Sequence, residues 1–327
     1  MKLPRRRFLH LAAGVAALPT VSLTARAQAY PARPITMIVP LAAGGPTDAI
    51  ARIIAEPMRV SLGQPVIIEN VTGADGTLGV GRAVRSAPDG YTLSIGQMAT
   101  HALNGAAYSL QYDVLNDFEP ISLLTSAPAL IVTGNAVPAK DLKELIAWLK
   151  ANRDKVSAGT FSVWARLFGV YFQEKTGTRF QFVPYRGAAP AMQDLIAGQI
   201  DLMFDQAANS LPQLSGGKIK AYAVAAKTRL ALAPEIPTVD EAGLPGTYIS
   251  VWHGLWVPKG TNKDVTAKLN SAAKAALEDA KARAGLVALG QEIFPREQQT
   301  PEALGALQKS EIEKWWPIIK AANIKGQ

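Results

Sequence analysis

The sequence predicts an α/β fold of two domains joined by two crossing strands, with a cleft between the domains. Three observations carry this expectation. Short β-branched runs alternate with helical patterns, as they do in a mostly parallel sheet with helices on both faces. The 327 residues, 48% of them hydrophobic, are enough for two compact domains. Two apolar stretches, residues 118–133 and 248–257, are placed to carry the chain from one domain to the other and back.

The elements follow in order. Ile35 opens a short apolar run to Pro40, the pattern of a buried parallel strand. A loop of Gly44, Gly45, Pro46, Thr47 and Asp48 comes next, and then Ala49, Ile50, Ile53 and Ile54 recur at helical spacing. Pro57 should end or kink that helix early. The alternation repeats with a strand at 66–71, a helix at 77–85, a strand at 91–96 and a helix from about Thr100. The stretch 118–133 is too long for one ordinary strand and is interrupted by Pro128, so it is the first expected crossing.

A second α/β unit has helices at 142–151 and 163–176, a strand at 180–183, a helix from Pro190, and strands at 200–204 and 221–225. Beyond Pro234 the chain is loop-like through Gly246, and 248–257 is the second crossing. The remainder is helical: Val265, Leu269, Ala272 and Ala276 form an apolar stripe opposite Lys268, Lys274 and Glu278, a helix that covers the first domain. The expected domains are therefore 30–123 with 248–327, and 124–247.

Composition excludes several function classes. The formal charge of +8 is inflated by residues 1–29, which hold five of the 34 Lys and Arg and none of the 26 Asp and Glu. The remainder, 29 bases against 26 acids, is nearly balanced and has no dense basic run, so it offers no footprint for nucleic acid or an anionic membrane. With no cysteine there is no disulfide, thiolate catalysis or lipidated N-terminal Cys. Histidine occurs three times, as His10, His101 and His253.

Residues 4–10, Pro-Arg-Arg-Arg-Phe-Leu-His, precede a weakly apolar stretch to Ala25 and resemble a twin-arginine export signal. Ala25-Arg26-Ala27 and Ala27-Gln28-Ala29 both suit cleavage, so residues 1–29 should be removed and the mature chain should be soluble.

In open α/β sheets, ligands sit beyond the carboxyl ends of strands, where helix N-termini offer unpaired N–H groups. The loop Ala43, Gly44, Gly45, Pro46, Thr47, Asp48 is such a place: its glycines let backbone N–H groups approach an anion, and Thr47 adds a hydroxyl. The same residues can equally make a tight turn and a helix cap. Tyr185, Arg186, Gly187, Ala188, Ala189 and Pro190 mirror them in the second domain, where a strand ends and small residues expose the backbone. Between these lies Thr160 to Arg166, where Arg166 can pair with a carboxylate, Phe161 or Trp164 can stack on a flat ligand, and Ser162 adds a hydroxyl. Trp164 as ordinary core and Arg166 as a solvated surface charge is the competing account. His101, at an expected helix start, and Asp205, at a strand end, complete the candidate binding set.

Gly76, Gly79 and Gly81 resemble a nucleotide loop, but Val84 stands where a third glycine belongs. No P-loop, G-x-S-x-G or H-E-x-x-H motif occurs, so no cofactor, metal or catalytic residue is expected.

From Tyr30 onward a set of landmarks runs in order: Tyr30-Pro-Ala-Arg-Pro-Ile35, Ala42-Ala-Gly-Gly-Pro-Thr-Asp48, Pro88-Asp-Gly-Tyr-Thr92, Asp117-Phe118, Pro184-Tyr-Arg-Gly-Ala-Ala-Pro190, Gly198-Gln-Ile-Asp201, Pro237-Thr-Val-Asp-Glu-Ala-Gly243 and Trp252. With these the chain resembles the tripartite tricarboxylate transporter receptors, extracytoplasmic solute-binding proteins also called Bug or TctC-like. The resemblance implies a type II periplasmic binding fold whose loops at 43–48 and 187–190 hold a carboxylate like pincers. It also implies a periplasmic location, a monomer, and a partner permease of one large and one small membrane subunit; some relatives serve signalling instead.

Two departures stand out. Members usually carry a longer glycine- and serine-rich loop ending in His where this chain has Arg166. With Phe161 and Trp164 nearby, that points to an aromatic dicarboxylate such as terephthalate. In addition, Val71, Thr72 and Asp75 stand where relatives tend to have Arg, Pro and Gly. A sensor that presents ligand to a kinase and a periplasmic hydrolase are the alternatives, the latter disfavoured because no nucleophile has a base beside it.

Overall fold

Residues 30–326 are described by the structure, a computed structural model. The expected export signal, His10 included, lies outside the described residues. No helix among the described residues is long and apolar enough to cross a membrane.

Among the described residues ten strands form one continuous sheet, with a trio of parallel strands in each half. In the first, β1 (Ile35–Val39) pairs in parallel with β2 (Val66–Asn70) and β3 (Thr92–Gln97). In the second, β5 (Ser157–Thr160) pairs in parallel with β6 (Gln181–Pro184) and β7 (Leu202–Gln206).

Two antiparallel strands join the halves. β4 (Phe118–Gly134) runs for 17 residues. It pairs with β9 (Ser250–Pro258) from Phe118 to Pro128, and from Ala129 to Gly134 with β7 and β8 (Ile219–Val224). β9 also pairs with β3, and the two-residue β10 (Glu292–Ile293) adds to β4. Both crossings thus fall close to where the sequence puts them, and residues 118–133 form one strand although Pro128 interrupts them.

Helices seal both faces. α1 (Pro46–Leu62) and α8 (Lys263–Glu278) close a core in which Ile50, Ile54 and Leu269 meet Met37 and Ile95. Each large aliphatic side chain buried there contributes roughly 1.5–3 kcal/mol. On the opposite face α5 (Val163–Thr176) and α10 (Pro301–Ala321) share a larger core with Trp256 and Phe204, and the Tyr171 and Trp315 rings meet edge-on at 5.3 Å. In the second half, α6 (Ala188–Ile196) and α7 (Ala207–Ser215) pack Met192 and Leu195 on Leu130 and Met203. α2 (Thr77–Val84), α3 (Asn104–Ala107), α4 (Leu142–Ala151) and α9 (Ala280–Ala288) complete the set.

Several expectations are corrected. Pro57 does not end α1, which continues to Leu62 and stops at Gly63 in the left-handed conformation; the packed face of Ile50, Ile54, Met58 and Leu62 outweighs the one lost backbone bond. The helix expected from Thr100 is a π-type turn, Ala99–Leu103, followed by the single turn of α3. α6 begins at Ala188, two residues before Pro190, because Pro lacks only an N–H that the first turn leaves unpaired anyway. β5 and α7 are additional to the elements the sequence indicates.

Gly79 in α2 fixes how closely the first helices approach the sheet edge. A Cβ there would lie 2.8 Å from Pro40 Cα and collide with the Val71 carbonyl oxygen. Because both obstacles are backbone, Gly79→Ala is expected to destabilise the fold by about 1–3 kcal/mol. Urea denaturation checks this through a lowered midpoint.

Candidate functional site

Every parallel strand ends at the same edge of its half-sheet, and the segment after each strand turns toward the groove between the halves. From the first half come the loops after β1 and β2 and the end of β3; from the second come the ends of β5, β6 and β7. Together they line a cleft of about 1230 Å3.

Ala43, Gly44, Gly45 and Thr47 form one wall, Gly187, Ala188, Ala189 and Pro190 the facing one, and Phe161, Ser162, Trp164 and Arg166 a third side. Twelve of the expected residues are therefore brought together. Asp48, His101 and Asp205 are not, and each is held behind the surface for a definite reason.

Asp48 is the strut of the first loop. Its carboxylate accepts from Gly44 N–H (2.8 Å), Arg52 Nε (2.9 Å) and Asn70 Nδ2 (3.0 Å), and Asn70 also donates to the Leu41 carbonyl (3.1 Å). Burial alone would raise its pKa, but the bonds from Arg52, Gly44 and Asn70 prevail and hold it below the ordinary 3.8. The cap of α1 is Gly45, whose side chain offers nothing, so the first-turn N–H groups of Thr47 and Asp48 are left without helical acceptors. Thr47 Oγ1 shares a hydrogen bond with His253 Nε2 at 3.2 Å.

His101 is fully buried beneath the cleft floor. Its ring stacks on Trp256 with centroids 4.0 Å apart, and its nitrogens reach Thr100 Oγ1 (2.9 Å) and Ser94 Oγ (3.1 Å). Burial pushes its pKa down to about 3, as it does that of His253, so both rings are neutral at physiological pH. Asp205 is likewise interior: it accepts from Ser210 Oγ (2.8 Å) and Asn209 Nδ2 (3.2 Å), fastening the start of α7.

The second wall is tied differently, by Tyr185 Oη donating to Asp194 of α6 at 2.7 Å. Gly187 caps α6 with φ 151°, a conformation closed to L side chains, and leaves the N–H groups of Ala188 and Ala189 free of helical acceptors. On the third side Ser162 caps α5 by accepting from Ala165 N–H at 3.3 Å. Arg166 lies with its guanidinium carbon 4.8 Å from the Phe182 ring centroid, and its Nε is buried without a hydrogen-bond partner among the described residues. Trp164 is 1% exposed and edge-on to Phe161 at 5.6 Å. Trp164 is therefore core, and the ring available to a ligand is that of Phe161.

Residues that sequence reasoning left without a role also line the cleft. They include the loop Thr72–Gly76, Gln97 and Gln206 at the ends of β3 and β7, Asn209, Tyr108 and, from the chain's end, Lys325, while Tyr185 and Arg186 of the second candidate loop line it as well. The strand-end rule would have found the two glutamines and the loop after β2; nothing in the sequence points to Lys325.

The profile of a family described as the tripartite tricarboxylate transporter family receptor matches residues 50–324. The chain belongs to that family. A UPF0065 protein in the TAR-I ttuE-ttuC' intergenic region of Agrobacterium vitis is 38% identical over 320 residues, 97% of this chain and 92% of that one. Among solved structures, the periplasmic binding protein BugD is 39% identical with a TM-score of 0.82 over 91% of this chain and all of that one. MatC from Rhodopseudomonas palustris with bound malate is 38% identical with a TM-score of 0.81 over 89% of this chain and 100% of that chain. This receptor therefore has the α/β periplasmic binding protein fold, and its relatives are named as receptors and binding proteins rather than enzymes.

Removing the strut should loosen the first wall of this receptor. Asp48→Ala leaves the Gly44 N–H and Asn70 without their acceptor and is expected to cost about 1–3 kcal/mol. Since the folded pKa is depressed, the stabilisation is full above the ordinary value of 3.8 and is lost as the pH falls through the folded one. Thermal melts from about pH 7 down to 3 should show the difference between wild type and variant shrinking at the acid end.

Proposed function

We propose that this receptor captures a small dicarboxylate in the periplasm and delivers it to a permease of one large and one small membrane subunit. The observation that carries the proposal is the pair of facing helix starts. The first-turn N–H groups of α1 at Thr47 and of α6 at Ala188 and Ala189 open onto one cavity from opposite halves of the sheet. Each is an anion site by its unpaired donors and its helix dipole, so two of them facing each other suit a ligand negative at both ends. The malate bound by MatC is chemically of this kind.

Arg166 supports a charged contact, because its buried Nε lacks an acceptor that a carboxylate would supply. Phe161, half-buried at the cleft wall, supports a flat apolar centre between the two acid groups, so the aromatic dicarboxylate terephthalate is the ligand proposed. The units that grip it are 30–123 with 248–327 on one side and 124–247 on the other, acting as a monomer.

A thermal-shift series with terephthalate, malate, adipate and benzoate tests this. A ligand at 100 times its Kd stabilises by about 2.7 kcal/mol, a rise of several degrees in Tm. Terephthalate should give the largest shift, and Arg166→Ala should weaken it roughly 10–100-fold in Kd, the worth of one charge-assisted hydrogen bond. A larger shift with malate or adipate would remove the aromatic assignment, and no shift with any acid would remove the carboxylate one.

A further inference from the structure

We propose that Asp75 couples capture of a carboxylate to the uptake of one proton, so that the cleft binds its anion more tightly as the pH falls through neutrality. The proposal rests on the cleft being a carboxylate site. Asp75 stands in the cleft wall on the loop between β2 and α2, with its backbone in the left-handed region at φ 50°. It is held from two directions. Its carbonyl accepts from Asn104 Nδ2 at 2.9 Å, and its Oδ2 accepts from the Val163 N–H, in the first turn of α5 on the opposite half of the sheet, at 3.1 Å.

The Asn104 bond thus anchors the backbone of the loop, and the Val163 bond holds the half-buried carboxyl toward α5. Among the described residues no Arg or Lys pairs with it, and burial pushes its pKa up to about 7, opposed only in part by the Val163 bond.

A dicarboxylate settling on the starts of α1 and α6 brings negative charge into the cavity that Asp75 lines. Two anionic groups sharing a water-poor site disfavour joint ionisation, so the occupied cleft keeps the Asp75 proton to higher pH than the empty one does. Linkage makes the effect reciprocal: whatever favours the proton favours the anion. Protonated Asp75 also gains an O–H donor, while Oδ2 continues to accept from Val163.

Other charged and titratable groups surround the cleft. Arg166 on α5, Arg186 before α6 and Lys325 at the chain's end bring positive charge. The phenols are Tyr108 and Tyr185, the latter pushed up to about 12 by burial and by its bond to Asp194. His101 and His253 are pushed down to about 3 by burial. Asp205 is the competing proton site: burial pushes it up to about 6 against the bonds from Ser210, Asn209 and Gln206, but it lies behind Gln206 and Asn209 and not in the wall.

Calorimetric titration of the protein with terephthalate and with malate, between about pH 6.5 and 9 and in two buffers of different ionisation enthalpy, tests the proposal. Kd should rise with pH above about 7, approaching tenfold per unit, and the buffer-dependent heat should report uptake of up to about one proton per ligand. Asp75→Asn keeps an oxygen for the Val163 N–H and tolerates the left-handed backbone, so it should bind with a pH-independent Kd and no proton uptake. Asp205→Asn should keep the wild-type dependence. A flat wild-type profile, a profile that survives in D75N, or one abolished by D205N would each overturn the coupling while leaving the carboxylate site intact. Failure of both acids to bind at any pH would remove the site and the coupling together.

Discussion

A parallel strand followed by a helix leaves its sheet at the carboxyl end, and the helix begins there with N–H groups that nothing in its own backbone can satisfy. Six strands of this receptor end in that way around one groove, three from each half of the sheet. The arrangement needs the halves to be joined, and β4 secures that by pairing with β9 up to Pro128 and with β7 and β8 from Ala129 on. The loops can then be short and rich in small residues, since their task is to leave the backbone accessible. Gly44, Gly45 and Gly187 to Ala189 meet that requirement.

Loops made only of backbone need something rigid underneath. In the first wall the rigidity comes from Asp48, whose three hydrogen bonds hold the turn, and from the shared bond between Thr47 and His253. Buried His101 adds a packed floor against Trp256. Asp48 and the two histidines support the cleft wall from behind, which is why charge and chemistry alone misplace Asp48 and His101.

Much of the fold was legible because the relevant signals are local. The β-branched run from Ile35, the glycine loop and the apolar spacing of Ile50 and Ile54 mark a strand, a turn and a helix without tertiary help. β5 escaped notice because Ser157-Ala-Gly-Thr160 has no large apolar side chain, and its strand character comes from the parallel neighbours on both sides. α7 was hidden by Pro212 within it. At the site, the small-residue loops, Arg166 and Phe161 could be picked out by residue type and position. The distinction between facing the cleft and lying just behind it could not: Asp205 is set apart from its neighbour Gln206 by side-chain direction, which alternates along β7, and His101 from Gln97 by the buried π-type turn that follows β3.

The shared strands also have a mechanical meaning. The β4–β9 ladder ends at Pro128 and Ser250, and β4 alone runs on within the sheet to pair with β7 and β8, so β4 is the strand that ties the two halves together. Pro128 sits where β4 exchanges β9 for β7 and β8, opposite Ser250, and has no N–H to give to the ladder. β4 thus changes partners at a residue that leaves a rung unmade, a notch in the one strand that both halves share.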